Sequence, residues 1–421
     1  MRASVDTTST RPKTLSQRRT TAGLAVALVQ LLAGCGGDGP AQAPGHDGGE
    51  GPLYAMMVQV YSTDDRTVYV SLSDTLDVNS VPLAEAREFP GVANLGAIGG
   101  RLLISSGAVP EITEFRITSR HEWVEERTVS FASYPLSDNA NFYYQFIVDD
   151  EHALLPFDGT KRILWNPAEM VIDRLIEDTM LSPSEPGLTL EAGGNRNGVQ
   201  YPASVMQTYF YHDEDWYDYG SKSHIVVYDA STFAERRILD VPCPGLTIAT
   251  RDEAGNTYFS NFGLPTRSIT GDAPATCLAK VDPEQSAVET FDLREWTDGR
   301  WVSNFRYVGR GKAFANVLHH EALGVTVPSE LTMEQLDSLW ESGPHWKLWL
   351  FDVAQETGAP VSGIDVAIAD GAQTAVLDNR SFVFLPYDDW GRTRAYELMS
   401  DGTAAERFDT AGDVFKWVRV R

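Results

Sequence analysis

Basic residues are scarce in this chain. Only 34 Lys and Arg stand against 59 Asp and Glu in 421 residues, for a formal net charge of −25 at pH 7. A surface that negative repels phosphate backbones and anionic lipid heads, which excludes nucleic-acid binding and leaves cations or a partner's basic patch as favoured company. Familiar catalytic signatures are missing too: there is no Gly-x-Ser-x-Gly elbow, no His-Glu-x-x-His, no Gly-Lys-Ser/Thr phosphate loop and no Cys-x-x-Cys-His haem signal. Binding or scaffolding is therefore expected ahead of catalysis. Past residue 35, no run is apolar enough to cross a bilayer as a helix.

What is present begins with an address. Arg2, Arg11, Lys13, Arg18 and Arg19 precede an apolar run from Leu24 to Leu32, which ends in Leu32-Ala33-Gly34-Cys35. A basic start, a short apolar stretch and small residues before a cut are the order of a signal peptide. The last four residues resemble a bacterial lipobox, which implies cleavage before Cys35 and acylation, palmitate included, of that cysteine. Residues 1–34 are then a signal peptide, and 35–51, rich in Gly and Pro, a flexible tether. Such a tether of about 16 residues spans about 20–24 Å on average and keeps whatever follows near the membrane. The expected location is exported and membrane-anchored, on the periplasmic side or the outer-membrane surface. Without residues 1–34 the chain keeps 29 basic and 58 acidic side chains, so its acidity deepens.

With Cys35 used for lipid, Cys243 and Cys277 remain, and an even pair in an oxidising compartment reads as one disulfide. Two buried thiols are the alternative.

Residues 52–421 read as strands. Tyr54 to Tyr61, Thr67 to Leu72, Ile112 to Ile117, Ile163 to Trp165, Ile225 to Tyr228, Lys347 to Phe351 and Phe382 to Leu385 are short, β-branched or aromatic, and bounded by turn residues. One helix is expected from Ser329 to Ser342, with Ser329 as N-cap. A strand ending in a turn residue recurs seven times, marked by Asp74, Thr118, Asn166, Asp229, Asp282, Asp352 and Ser400. Most spacings are close to the 40–50 residues of a propeller blade, and two are stretched by insertions. A tight hairpin follows all but the last marker: Gly99-Gly100, Asp149-Asp150, Gly194-Asn195, Asp252 to Gly255, Gly309 to Gly311 and Asp378-Asn379. After Ser400 there is room for one outer strand and an inner one containing Val414, Phe415, Trp417, Val418 and Val420. The expectation is an all-β, seven-bladed β-propeller, six or eight blades being the alternatives, closed by the C-terminal strand joining the N-terminal blade.

In such a ring, the loops from second to third strand and the connectors between blades open on one face, where ligand sites belong. The fourth-blade loop, Tyr209 to Gly220, holds His212, Asp213, Asp215, Tyr217 and Asp218. Its carboxylates are a candidate Ca²⁺ site, although the spacing fails as an EF-hand because Asp218 and His224 stand where Gly and Glu are required. A solvated acidic turn is the competing reading. The sixth-blade insertion carries His319, His320, Glu321 and His345. On the seventh blade Trp390, Arg392 and Arg394, with Arg267 of the fifth and Tyr217 of the fourth, are candidate ligand-binding residues: an anion clamp with a stacking face. The competing reading there is that the arginines neutralise neighbouring carboxylates.

A lipobox followed by blade-like strands without enzyme signatures resembles the lipid-anchored bacterial propellers and, more loosely, lipoproteins of myxobacterial siderophore clusters of the myxochelin type. That resemblance implies an accessory role in iron–siderophore uptake, passing a ferric chelate to an envelope receptor or transporter. The alternatives are a Ca²⁺-assisted hydrolase such as a lactonase or phosphoesterase, which needs carboxylates from several blades at the channel mouth, and a structural envelope scaffold.

Overall fold

The computed structural model describes residues 51–421 apart from the segments 62–65, 92, 107–108, 135–144, 159, 183, 186, 193–197, 214–218, 262–276, 340–344, 365–372 and 389. Cys35, Asp215, Tyr217, Asp218 and Arg267 lie outside the described residues. So do residues 1–34, expected to be a signal peptide, and nearly all of the expected tether.

The described strands form seven antiparallel sheets, and they define a seven-bladed β-propeller. Blade two shows the plan: Ala93–Ile98, Arg101–Ser106, Glu111–Ile117 and Trp123–Ser130 run in sequence order from centre to rim. Blade one is shared by the two ends of the chain. Its inner strand is Asp413–Arg419, followed outward by Tyr54–Tyr61, Arg66–Ser73 and Arg87–Pro90. The three-plus-one closure expected from the missing hairpin is thus present, pairing Tyr54 with Arg419 and Gln59 with Asp413.

Each blade is packed between two others, so its middle strands are buried on both faces. In Tyr54–Tyr61, Tyr54, Met56 and Val58 pack toward blade seven, while Ala55 and Met57 pack toward blade two. Trp417 of the closing strand lies among Tyr54, Phe382, Phe384 and Phe408, with ring centroids 4.8–6.4 Å away. Burying that indole ties the last strand to its neighbours in blade seven as well as to the hydrogen-bond ladder. At the rim, Trp123–Ser130 and Val171–Glu177 expose charged side chains, which discourages edge-to-edge pairing.

The hairpins joining inner to second strands lie where the turn residues placed them. Gly99 and Gly100 both take positive φ, as do Asp378 and Asn379, the geometry a tight two-residue hairpin requires. Blade four corrects the sequence reading. Its inner strand is split into Leu188–Ala192 and Gly198–Tyr201, both paired with Ser204–His212, so the hairpin turn is at Pro202-Ala203, not Gly194-Asn195. Gly and Asn carry the same turn signal in sequence whichever strands pair around them.

The expected helix is also shorter than the sequence suggested, covering Met333–Ser338. Thr332, not Ser329, caps it: the Gln335 N–H donates to Thr332 Oγ1 and the Thr332 N–H to Gln335 Oε1. This reciprocal capping outcompetes the single hydroxyl of Ser329, which falls in a separate 3₁₀ turn, Pro328–Glu330. Among the described residues, no helix is long and apolar enough to cross a membrane.

Cys243 and Cys277 are bonded, with Cα atoms 5.4 Å apart. Cys243 sits on the connector from blade four and Cys277 just before the third strand of blade five, so the bridge joins adjacent blades at the loop-bearing face.

Candidate functional site

The nominated residues fall into three neighbourhoods. In blade four, Tyr209 to His212 are not loop but the end of the second strand. His212 is buried; its Nδ1 lies 2.6 Å from the Asp213 carbonyl oxygen and its Nε2 3.9 Å from Glu191. Among the described residues, no three His, Cys, Asp or Glu are grouped so as to hold a metal ion. In blade six, His319 Nε2 accepts from the Trp349 indole 3.2 Å away. Its Nδ1 is 3.3 Å from Glu321, which pairs in turn with Arg300 at 2.8 Å. Burial lowers the pKa of His319, helped by the charges of Arg300 and Lys347. The neutral imidazole thus acts as acceptor for Trp349, and this cluster reads as an anchor for the insertion.

In blade seven, Arg392 and Arg394 lie on the third strand, facing the outer one. Arg392 is ion-paired with Asp409 and donates to Tyr387 Oη at 2.7 Å; Arg394 lies 3.7 Å from Glu406, 3.8 Å from Asp409 and over the Tyr387 ring. Carboxylates thus already meet both guanidinium groups, and these partners, Asp409 and Glu406, are on the adjacent strand. Trp390 takes positive φ in the tight turn preceding them.

Composition did not point to the centre of the ring, where polar groups are carried on innermost strands. Val302–Gly309, the inner strand of blade six, contains a bulge in which Asn304 takes a left-handed conformation. That turn presents Asn304 Oδ1 to Arg306, accepting from Nε at 3.0 Å and Nη2 at 2.9 Å, while Nη1 donates to Thr374 Oγ1 of blade seven at 2.9 Å. Arg306 is 2% exposed, and no carboxylate is paired with it among the described residues. Burial alone pulls its pKa down to about 10, so it remains charged near neutrality. A buried cation held only by neutral oxygens is costly unless something compensates it.

A second cation, Lys416 on the closing strand, is fully buried and donates to the Leu95 carbonyl and, at 3.4 Å, to Asn94 Oδ1 of blade two. Near the mouth, Asp413 opens the same strand. Gly412 before it has φ +80°, and a Cβ there would stand 2.5 Å from the Gln59 carbonyl oxygen, so only glycine makes this entry. A sequence signal did exist for these residues: Arg306, Asp413 and Lys416 each interrupt an otherwise buried inner strand.

No protein-family model and no curated protein matches this chain. Several solved propeller structures are similar in shape. Apo AztD from Citrobacter koseri is 13% identical, with 88% of this chain and 98% of that one covered at a TM-score of 0.43. The β-propeller domain of the Trilobed protease from Pyrococcus furiosus, described as having an open velcro topology, is 11% identical over 85% and 93% at 0.46. The RRP9 WD40 repeats are 7% identical over 76% and 82% at 0.45. At such identities and scores these likenesses carry no argument about function.

Proposed function

We propose that this chain is a lipid-anchored propeller of the bacterial envelope that binds a small anionic ligand at the ring's centre. Within that reading its role is accessory to iron uptake, holding a ferric chelate beside a receptor. The observation that carries it is Arg306: a guanidinium buried on an innermost strand and hydrogen-bonded to the neutral oxygens of Asn304 and Thr374, in a chain of net charge −25. Ferric chelates of the catecholate class are anionic, and a chain this acidic needs a local cation to receive one. Arg306 supplies a planar donor fork suited to carboxylate or catecholate oxygens, and an anion arriving there replaces neutral acceptors with charged ones. Lys416 adds positive charge on another innermost strand. Support for the address is the run Leu32-Ala33-Gly34-Cys35.

Tryptophan fluorescence tests the ligand, because Trp301 and Trp296 lie on the segment leading into the strand of Arg306. Titration with ferric tricatecholate or ferric citrate is expected to quench emission at micromolar concentrations, with Arg306→Gln weakening binding about tenfold or more, the loss of one charge-assisted hydrogen bond. Absence of quenching by both chelates would sink the iron reading. The address has its own check: Cys35→Ser is expected to abolish palmitate labelling and move the protein from the membrane fraction to the soluble one.

A further inference from the structure

The sixth-blade insertion leaves the second strand, Lys312–Leu318, and returns at the third, Trp346–Asp352, on the loop-bearing face. Its base is closed by the His319 N–H, which donates to the His345 carbonyl at 2.7 Å. Farther out, Leu331, Leu336 and Leu339 pack into the core around Trp346. Between base and core lies the short turn His320–Leu323, and no side chain of that turn is fully buried. Polar contacts hold it instead. The Ala322 N–H donates to the His319 carbonyl at 2.9 Å, Gln335 Nε2 donates to the Leu323 carbonyl at 2.9 Å, and Glu321 sits between Arg300 at 2.8 Å and His319 Nδ1 at 3.3 Å.

This arrangement requires a neutral His319. The Trp349 indole can only donate, so its bond to His319 Nε2, 3.2 Å away, needs that nitrogen bare and leaves the ring hydrogen on Nδ1, toward Glu321. A second proton would turn the acceptor into a donor facing a donor, with both rings buried. The surroundings oppose that proton. Burial is the largest cause holding His319 below the ordinary histidine range, and the charges of Arg300 and Lys347 act in the same direction. Glu321 acts the other way, but its carboxylate is already engaged by Arg300, which lowers it to about 2 and keeps it ionised in mild acid. His320, on the same turn, has Nε2 2.9 Å from the Thr326 carbonyl and Nδ1 3.9 Å from Glu321, so a proton there would be drawn toward the carboxylate and tighten the turn. His345 is buried across the base.

We propose that His319 is an acid-released latch: taking up a proton breaks its bond to Trp349 and frees the His320–Leu323 turn, loosening the insertion on the loop-bearing face while the ring stays folded. The latch is independent of Arg306, so the two readings stand or fall separately. Released, His319 titrates near the ordinary value of about 6.5; latched, it titrates lower. The latch is therefore complete above about 6.5 and weakens as pH falls below it, by up to about tenfold in the opening equilibrium per pH unit, the slope of one coupled proton. Hydrogen exchange of the purified full chain between pH 7.5 and 5, corrected for intrinsic rates, reads this directly. Protection of the His319, Ala322 and Gly324 amides is expected to fall with that slope, while the amides of Arg101–Ser106 in blade two hold theirs. His319→Gln offers Trp349 an acceptor at every pH and is expected to flatten the response. Trp349→Phe removes the opposing N–H and is expected to make the slope shallower. Protection of the turn that does not fall from pH 7.5 to 5 would overturn the proposal. So would a fall of unchanged slope in both variants, or one shared equally by blade two.

Discussion

Asp178→Ala is expected to lower the unfolding free energy by about 3–5 kcal/mol, the cost of stranding a buried partner charge. The partner is Arg162, on the third strand of blade three, whose side chain is wholly inaccessible, as is that of Asp178. Arg162 Nη2 donates to Asp178 Oδ1 at 2.6 Å and Nη1 to Gln207 Oε1 at 2.6 Å, with the guanidinium 4.1 Å from the Tyr228 ring centre. Tyr209 donates to the other Asp178 oxygen and lies 2.9 Å from Tyr228. Burial pushes both phenols well above their ordinary pKa, so they stay neutral donors. Removing Asp178 leaves Arg162 charged between blades three and four, where water cannot reach it. Replacing both partners with apolar side chains of similar volume, as in Arg162→Met with Asp178→Leu, is expected to recover most of that loss. Guanidinium denaturation of the single and double variants measures both effects. A single variant within 1 kcal/mol of wild type would show that the site relaxes or hydrates, and that the network contributes little.

The contrast between this network and the ring itself shows what a sequence of this kind carries. The seven markers worked because each is a local device. Asp229 accepts from the N–H groups of Ser231 and Thr232, Asp282 from Ser286 and Ala287, and Asp352 from Ala354 and Gln355, so each carboxylate holds the turn after a third strand. Thr118 and Asn166 do the same with a hydroxyl and an amide. In blade seven the task falls to Asp401, next to the marked Ser400, and in blade one to Ser73, next to Asp74. A turn that caps itself is visible within a few residues. Arg162 and Gln207, or Gln59 and Asp413, meet only after the blades are docked and the ring closed. No window of sequence joins them.

The same distinction separates loop position from site chemistry. Arg392 and Arg394 stood out because cations are rare here, yet rarity is also why the fold surrounds them with Asp409 and Glu406. Arg306 was less conspicuous, a single charge in Val302–Gly309, and it is a buried arginine held by the neutral oxygens of Asn304 and Thr374. In an acidic chain, the informative cation is one kept apart from acids. Its environment is set by a strand bulge and by the adjacent blade, neither of which leaves a clear mark in composition.

Asp413→Asn is expected to stabilise the protein at alkaline pH and to leave it nearly unchanged near pH 4. Burial raises the Asp413 carboxyl to about 7, with Arg66 pulling slightly the other way, whereas an unfolded aspartate titrates near 3.9. Between those values the native state holds a proton that the unfolded chain has released. Stability therefore falls as pH rises from about 4 through 7, and above that the full penalty, up to ~4 kcal/mol, is present. Asparagine is neutral throughout and escapes it. Denaturation of wild type and Asp413→Asn at pH 4, 6 and 8 should show a gap that opens with pH. A gap of constant size would mean that the carboxyl reaches solvent in the native state.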